Sequence, residues 1–321
     1  MNAALQRAVA RALEREKPRW LRPLGISLDP IRTLALPPEA KVIGVGGATL
    51  GGSGRTPLAI ALARALAELL GNDQVAFVAH GHGGRVRHAR RVAVGEDAAE
   101  IGDETAIAAS SLRLPVFVGP RRETIELAAR SAHVVVVDRL LQARPYRLAC
   151  SLLAVNEAAP WGAFAKLPFG DLVAAPATLI AAADELVAIG GRLARERFTL
   201  SRPVEGLRVG ALATLARPWR MRQALARLGV HPSLFLDRAD HALLDATELA
   251  NLDRLRRRHG LDAWVVDAKT AALMPRDRRP DLVELSHDLE LAPDLLLRVC
   301  ERAGLALPSP HAKLANGEAR C

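Results

Sequence analysis

KVIGVGGATLGGSGRTPLAIALARALAELL, residues 41–70, reads as strand, glycine loop and helix in immediate succession. Val42, Ile43 and Val45 form a short apolar run of the kind found in buried parallel strands. The glycine-rich turn runs from Gly46 to Gly54. Leu58, Leu62, Ala65, Leu66 and Leu69 then mark one face of a helix, with Pro57 in the first turn, where a missing N–H costs nothing. Such a unit cradles an anion: glycines let backbone N–H groups turn toward a phosphate, and the helix N-terminus adds positive field. Gly51-Gly52-Ser53-Gly54-Arg55-Thr56 is close to the end of a Walker A loop, GxxxxGK[ST]. Thr49 stands at the first-glycine position and Arg55 at the lysine. A glycine turn without special purpose would not need three glycines, a basic residue and a threonine in this order.

The chain around this loop has 321 residues, half of them hydrophobic, and a formal net charge of +9. That length suits two domains or one large α/β domain. The positive charge favours an anionic partner: a nucleotide, a phospholipid surface or a nucleic acid. Nucleic acid is the weaker choice, because single-strand binders interleave aromatics with basic residues and Tyr146 is the only tyrosine. Cys150, Cys300 and Cys321 are odd in number and far apart, which indicates neither a disulfide framework nor a zinc site.

Residues 1–17 place Leu5, Val9, Ala12 and Leu13 on one helical face, without the apolar core and cleavage site of a signal peptide. No apolar run approaches the ~20 residues of a membrane span. A basic amphipathic helix either lies on an anionic bilayer or packs on its own domain. Trp20, Leu21, Leu24, Ile26 and Leu28 continue the apolar character through a proline-rich connector.

Beyond the loop helix, Val75 to Ala79 reads as a strand, followed by His80-Gly81-His82-Gly83-Gly84-Arg85 at the carboxyl end, where open parallel sheets place ligands. Without a Cys or carboxylate nearby, the two histidines read as a substrate-side loop rather than a metal site. Arg85, Arg87, Arg90 and Arg91 are either a solvated edge or a hold on an anion. Asp103 and Glu104 precede a helical stretch, Ala106 to Leu112, where an acidic pair most often serves as N-cap and helix-dipole complement. Val134 to Asp138 is an apolar run ending in a carboxylate, the Walker B pattern that sets Asp138 beside the loop threonine to hold Mg²⁺. From Leu207 onward strands and helices alternate: strand 209–215, helix 219–228, strand 233–236, helix 246–259, strand 263–266, a helical turn near Thr270, strand 282–285 and helix 293–303. This implies a second parallel sheet.

The order of these motifs resembles the tetraacyldisaccharide 4'-kinase family. Val45 to Pro57 resembles that family's VGN-x-T-x-GGTGKTP loop, which accounts for Thr49 and Pro57. Ala79 to Gly84 resembles SRGYGG, Gly102-Asp103-Glu104 keeps GDE, and Asp138-Arg139-Leu140-Leu141-Gln142 resembles DDGLQ. Leu167 to Ala174 resembles LPaGpLRE, Ala216 to Arg220 resembles nPerF, Asp240-His241 matches the DH pair, and Val266 to Thr270 is a degraded TEKDA. The likeness runs from about Trp20 to Leu305.

The resemblance implies an α/β fold with a P-loop NTPase-like parallel sheet, helices on both faces, and a second, smaller α/β domain. The expected layout is an N-terminal amphipathic, membrane-facing segment (1–40), a nucleotide-binding domain (41–150), an inter-domain region (151–206), a second α/β domain (207–307) and a tail (308–321). It also implies ATP-dependent phosphorylation of the 4'-hydroxyl of a tetraacyldisaccharide 1-phosphate, at the cytoplasmic face of the inner membrane. ATP would bind Thr49, Gly51, Gly52, Ser53, Gly54, Arg55 and Thr56; Mg²⁺ would bind Thr56 and Asp138. Asp103 would be the base and His241 would orient it. Nucleic acid is not expected as a partner. Five departures stand against the pattern: Arg55 for lysine, Arg139 for the second acid of DDGLQ, Leu140 for its glycine, Val173-Ala174 for Arg-Glu, and Ala268 and Thr270 for the acids of TEKDA. They motivate an alternative: a paralogue that binds nucleotide or lipid without turnover.

Overall fold

The computed structural model describes residues 29–166, 169–215, 218–238, 244, 246–274 and 282–306. The expected N-terminal helix, the Trp20 to Leu28 connector, Asp240-His241 and the tail lie outside the described residues.

A short strand β1 (Ile31–Thr33) precedes β2 (Lys41–Gly47), whose central five residues are all buried. Helix α1 (Arg55–Leu70) follows the glycine loop, and its Leu58, Leu62 and Leu66 are fully buried against the sheet. Next come β3 (Val75–Val78), β4 (Arg90–Arg91), the single turn α2 (Ala98–Ile101), α3 (Asp103–Ser111) and β5 (Val116–Val118). Then follow α4 (Arg121–Ala129), β6 (Val134–Asp138), β7 (Gln142–Arg144), β8 (Cys150–Asn156), α5 (Pro176–Ala182), β9 (Glu185–Ile189) and β10 (Ala194–Leu200). The second half contains β11 (Val209–Ala213), α6 (Pro218–Arg227), β12 (Leu234–Asp237), α7 (Ala246–His259), β13 (Ala263–Asp267), α8 (Ala268–Leu273), β14 (Leu282–Leu291) and α9 (Pro293–Ala303).

Twelve of these strands form one sheet, in the order β12-β11-β13-β14-β10-β9-β8-β2-β6-β3-β5-β4, while β1 pairs with β7 beside it. Strands β8, β2, β6, β3 and β5 are parallel. Their unbroken valine runs suit burial on both faces. One face is covered by α1, α3 and α9 and the other by α4, whose Ile125 and Ala128 pack on Val135 and Val137.

The expected second parallel sheet is not separate. Strands β11 to β13 pair in parallel, as alternation requires, but they join the first half through the antiparallel pair β10 and β14, in register from Ala194↔Leu291 to Leu200↔Leu285. The reason is the length of β14. It continues well past Leu285, because its alternating pattern of buried and exposed residues finds a partner in β10. Residues 151–206 accordingly supply most of β8 and all of β9 and β10.

Candidate active site

The glycine loop holds its shape at two left-handed residues, Gly52 (φ 71°) and Gly54 (φ 78°), where other side chains are strained. Gly54 caps α1, and a Cβ there would fall 2.7 Å from Ile189 Cγ1. Thr49, at the first-glycine position, donates its hydroxyl proton to the Gly51 carbonyl (2.7 Å), a local turn in place of glycine's freedom. The segment that resembles LPaGpLRE braces this loop: Leu50 N–H donates to the Asp171 carbonyl (2.8 Å) and Val173 N–H to that of Ala48 (3.0 Å).

The sequence pattern expects Thr56 and Asp138 together, and the structure brings them together. Pairing of β2 with β6 sets Val45 opposite Asp138, and Thr56 Oγ1 donates to Asp138 Oδ2 at 2.8 Å. Arg55 Nε donates to the other oxygen, Oδ1, at 2.7 Å, and its Nη2 lies 3.3 Å from Glu104 Oε1. Both ends of the Arg55–Asp138 pair are nearly shut off from solvent, with side-chain exposures of 10% and 1%. Burial works against the guanidinium's charge, yet the charges of Asp138 and Glu104 and the hydrogen bond to Asp138 raise its pKa. Glu104 moves up from the ordinary glutamate range through burial and then through the charge of Asp138, with Arg55 opposing. Its Oε2 is buried without a hydrogen-bond partner among the described residues.

These oxygens form a hard donor set. Magnesium sites of phosphotransferases use one or two carboxylates and complete the shell with substrate phosphates, hydroxyl oxygens and water. Thr56 Oγ1, Asp138 and the unpartnered Glu104 Oε2 fit that requirement. Among the described residues, no three or more His, Cys, Asp or Glu converge on a point.

Asp103 is 3% exposed. It begins α3 rather than capping it: the N-cap is Gly102 (φ 87°), so Asp103 and Glu104 both occupy the first turn. This differs from the expected N-cap by one residue. Glycine is required there, because a Cβ on Gly102 would meet the His82 carbonyl at 2.5 Å. Asp103 Oδ1 accepts from Glu104 N–H (2.8 Å), and its Oδ2 lies 3.5 Å from Lys269 Nζ at the start of α8. His241, expected to pair with Asp103, lies outside the described residues. The structure instead supplies Lys269 from the degraded TEKDA segment.

A second contact crosses from the far half of the chain. Arg220 of α6 donates from Nη1 to the Gly52 carbonyl at 3.3 Å, and its Nη2 is ion-paired with Glu196 of β10. Glu196 also lies 3.2 Å from His287 Nε2 and 3.3 Å from Arg227, and the His287 ring stacks on Phe198. Burial opposes the Glu196 charge, but the hydrogen bond to His287 and the charge of Arg220 hold its pKa at about 2.

The sequence matches the family described as LpxK, tetraacyldisaccharide-1-P 4'-kinase, over residues 32–302. The chain belongs to the tetraacyldisaccharide 4'-kinase family. It is 32% identical over 282 residues to the tetraacyldisaccharide 4'-kinase of Methylobacterium sp. (strain 4-46), covering 80% of this chain and 82% of that one. It is 33% identical over 256 residues to that of Methylobacterium radiotolerans, covering 73% and 77%. A crystal structure of LpxK from Aquifex aeolicus in complex with ATP superimposes with a TM-score of 0.60 at 18% identity, over 94% of this chain and 96% of that one. At that identity the likeness concerns the fold.

Within this family's pattern, sequence reasoning passed over Glu104, Lys269, Glu196 and Arg220 as site residues. Glu104, Lys269 and Arg220 lie within the GDE, TEKDA and nPerF segments, and the motif is the available signal. Glu196 had none: it sits in an alternating strand, and only the pairing with β14 and the packing of α6 reveal it. His80 and His82 stand 6.0 Å apart as ring centroids, and among the described residues no cluster of three or more His, Cys, Asp or Glu includes them. Arg85 and Arg90 pair with Glu100 and Glu96 as a solvated edge.

Proposed function

We propose that this chain transfers the γ-phosphate of ATP to the 4'-hydroxyl of a tetraacyldisaccharide 1-phosphate, working at the cytoplasmic face of the inner membrane as a peripheral protein. The observation that carries this reading is the hydrogen-bonded pair of Thr56 and Asp138 (2.8 Å) beside the glycine loop, in a chain of this family. The backbone N–H groups of residues 51–56 and the N-terminus of α1 receive the nucleotide phosphates. Thr56, Asp138 and Glu104 would hold Mg²⁺, which supplies charge neutralisation across the transferring phosphate. Asp103 takes the proton of the 4'-hydroxyl as that oxygen attacks phosphorus, and ADP leaves with the electrons of the broken P–O bond. Lys269 sets a positive charge against Asp103, and His241 is the residue expected to orient it. Arg55 places its guanidinium where charge develops on the transferring group.

For the membrane, the support is the net charge of +9 and the amphipathic pattern of Leu5, Val9 and Leu13. Among the described residues, no helix is long and apolar enough to cross a bilayer.

A second reading has its own observation. Both oxygens of Asp138 are engaged, one by Thr56 and one by Arg55, so the guanidinium stands against the carboxylate that the first reading gives to Mg²⁺. A paralogue that binds nucleotide but does not turn over would have this arrangement permanently. Transfer of labelled phosphate from ATP to the disaccharide acceptor, with ATP affinity measured in parallel, separates the two. Label on the acceptor supports the kinase; binding with no transfer supports the paralogue.

A further inference from the structure

The segment that resembles TEKDA carries a substitution pattern of its own. Ala268 and Thr270 stand at the acids of that motif, which sets Asp267 at its threonine and Lys269 at its lysine. Threonine and aspartate have therefore exchanged places, while the lysine between them is kept. A threonine followed three residues later by an acid is a helix-capping pattern. Its reverse does the same work here. Asp267 is the N-cap of α8, and its Oδ1 accepts from the Lys269 N–H (3.0 Å) and the Thr270 N–H (3.1 Å). Thr270 Oγ1 donates back to Asp267 Oδ2 at 2.7 Å. Aspartate caps a helix at least as well as threonine, so the exchange keeps the cap.

The clasp extends to the end of β11. Thr214, fully buried like Thr270, donates its N–H to Thr270 Oγ1 at 3.0 Å. The Thr214 hydroxyl lies 3.0 Å from the same oxygen, and it is the donor, because the Thr270 proton is committed to Asp267. The first turn of α8 is thus tied both to its own cap and to the neighbouring strand end. Lys269, the second residue of that turn, starts from a fixed backbone.

From there Lys269 crosses to the other half of the chain. Helix α8 packs against α3, and Lys269 Nζ lies 3.5 Å from Asp103 Oδ2, with side-chain exposures of 14% and 2%. The other oxygen of Asp103, Oδ1, accepts from the Glu104 N–H at 2.8 Å. One oxygen of the carboxylate is held from within α3 and the other from α8. A cation in the first turn of a helix runs against the helix dipole, which favours acids there. Helix stability does not select a lysine at this position; its partner does.

We propose that Lys269 is the positioning residue of Asp103: it holds the carboxylate in the orientation that receives the hydroxyl proton, and the clasp of Asp267, Thr270 and Thr214 holds Lys269. The inference rests on Asp103 acting as base in the proposed function. It makes the exchange within the TEKDA segment a compensated change, which keeps the placement of the lysine. It also divides the work between the two halves, since the base is built on α3 and aimed from α8. Aim matters because a small displacement of a catalytic group lowers the rate steeply.

The test is hydrogen exchange of the Glu104 amide in the full chain, which reports on whether Asp103 Oδ1 stays in place. Amides of β2 are the control for global opening. Lys269→Met should speed Glu104 exchange by about 10-fold, the factor for losing a charged hydrogen bond, and leave β2 unchanged. Lys269→Arg should recover most of that protection. Thr270→Asp alone sets two acids face to face and should also release Glu104, whereas Asp267→Thr with Thr270→Asp should restore it. In phosphate transfer, Lys269→Met should lower kcat by about 10-fold or more with ATP affinity unchanged, and Lys269→Arg should regain most of the loss. Unchanged Glu104 exchange in Lys269→Met overturns the proposal, and so does equal acceleration in β2. Release of Glu104 with kcat unchanged makes the contact a structural tie alone and also overturns it. Absence of transfer by wild type removes the kinase reading instead, and the exchange rates then decide whether Lys269 holds Asp103.

Discussion

Replacing Arg55 with alanine tests whether the basic residue of the loop is an integral part of the centre. Arg55 is the cation facing Asp138 Oδ1 at 2.7 Å and Glu104 Oε1 at 3.3 Å, with 10% of its side chain exposed. Breaking a buried ion pair by removing one partner costs roughly 3–5 kcal/mol, because the other charge is left uncompensated. Two features lower that figure here: Thr56 still donates to Asp138, and Glu104 can take up a proton. About 3 kcal/mol is the expected loss, which lowers the Tm of a chain this size by roughly 4–5 °C. The pH dependence has a definite sign. Burial and Asp138 already raise Glu104, and Arg55 restrains that rise, so removing Arg55 raises it further. An acid whose folded-state pKa is raised is destabilising above that value and relieved as pH falls toward the ordinary glutamate range. The deficit of Arg55→Ala should therefore be largest at neutral pH and shrink toward about pH 5. Arg55→Lys keeps the charge but loses the fork that spans both acids, and should cost about 1 kcal/mol. Melting curves of the three proteins at both pH values, with phosphate transfer measured in parallel, check this. A Tm for Arg55→Ala within a degree or two of wild type, with unchanged transfer, would refute the reasoning.

Asp103→Ala and His241→Ala should each lower kcat for transfer by ~10²-fold or more, with less than the product in the double variant, as for groups acting as a unit; wild-type rates in both singles would remove the base assignment. Arg220→Ala frees the Gly52 carbonyl and removes one of the ion pairs of Glu196, so KM for ATP should rise several-fold more than kcat falls, since a loop shaped for phosphate serves the ground-state complex and the transition state alike. Glu196, held at about 2, contributes stability above the ordinary glutamate range that is lost as pH falls from about 4.5 toward 2; acid titration of Glu196→Gln by circular dichroism should show a shallower loss across that window than wild type. Sedimentation with anionic vesicles should weaken with added salt and on deletion of residues 1–28; binding indifferent to both removes the peripheral-membrane assignment.

The first half of the chain was legible because its signals are local. The glycine loop, the valine runs of β2 and β6 and the proline at the start of α1 each name their own conformation within a few residues. Helices Ala246–His259 and Pro293–Ala303 were legible to the residue for the same reason, through heptad-like apolar spacing and an N-terminal proline. What sequence could not reveal was pairing. Leu282–Leu291 reads as a short strand by its apolar start, yet its polar continuation, Ser286-His287-Asp288, is strand because β10 lies beside it. One antiparallel pair of that kind turns two expected sheets into one.

The candidate site divides along the same line. Thr56 and Asp138 were found because Walker-type spacing encodes their meeting across two adjacent parallel strands. The contacts that complete the centre run over distances no local pattern carries: Arg220 to Gly52, Lys269 to Asp103, Glu196 to His287. The first two join the far half of the chain to the loop and to α3, and the third joins β10 to β14 beneath Arg220. The substitutions at Arg55 and Arg139 show why such contacts matter. Read singly, each looks like erosion of a motif. In the structure Arg55 is matched by two acids, whereas Arg139 has no ion pair among the described residues.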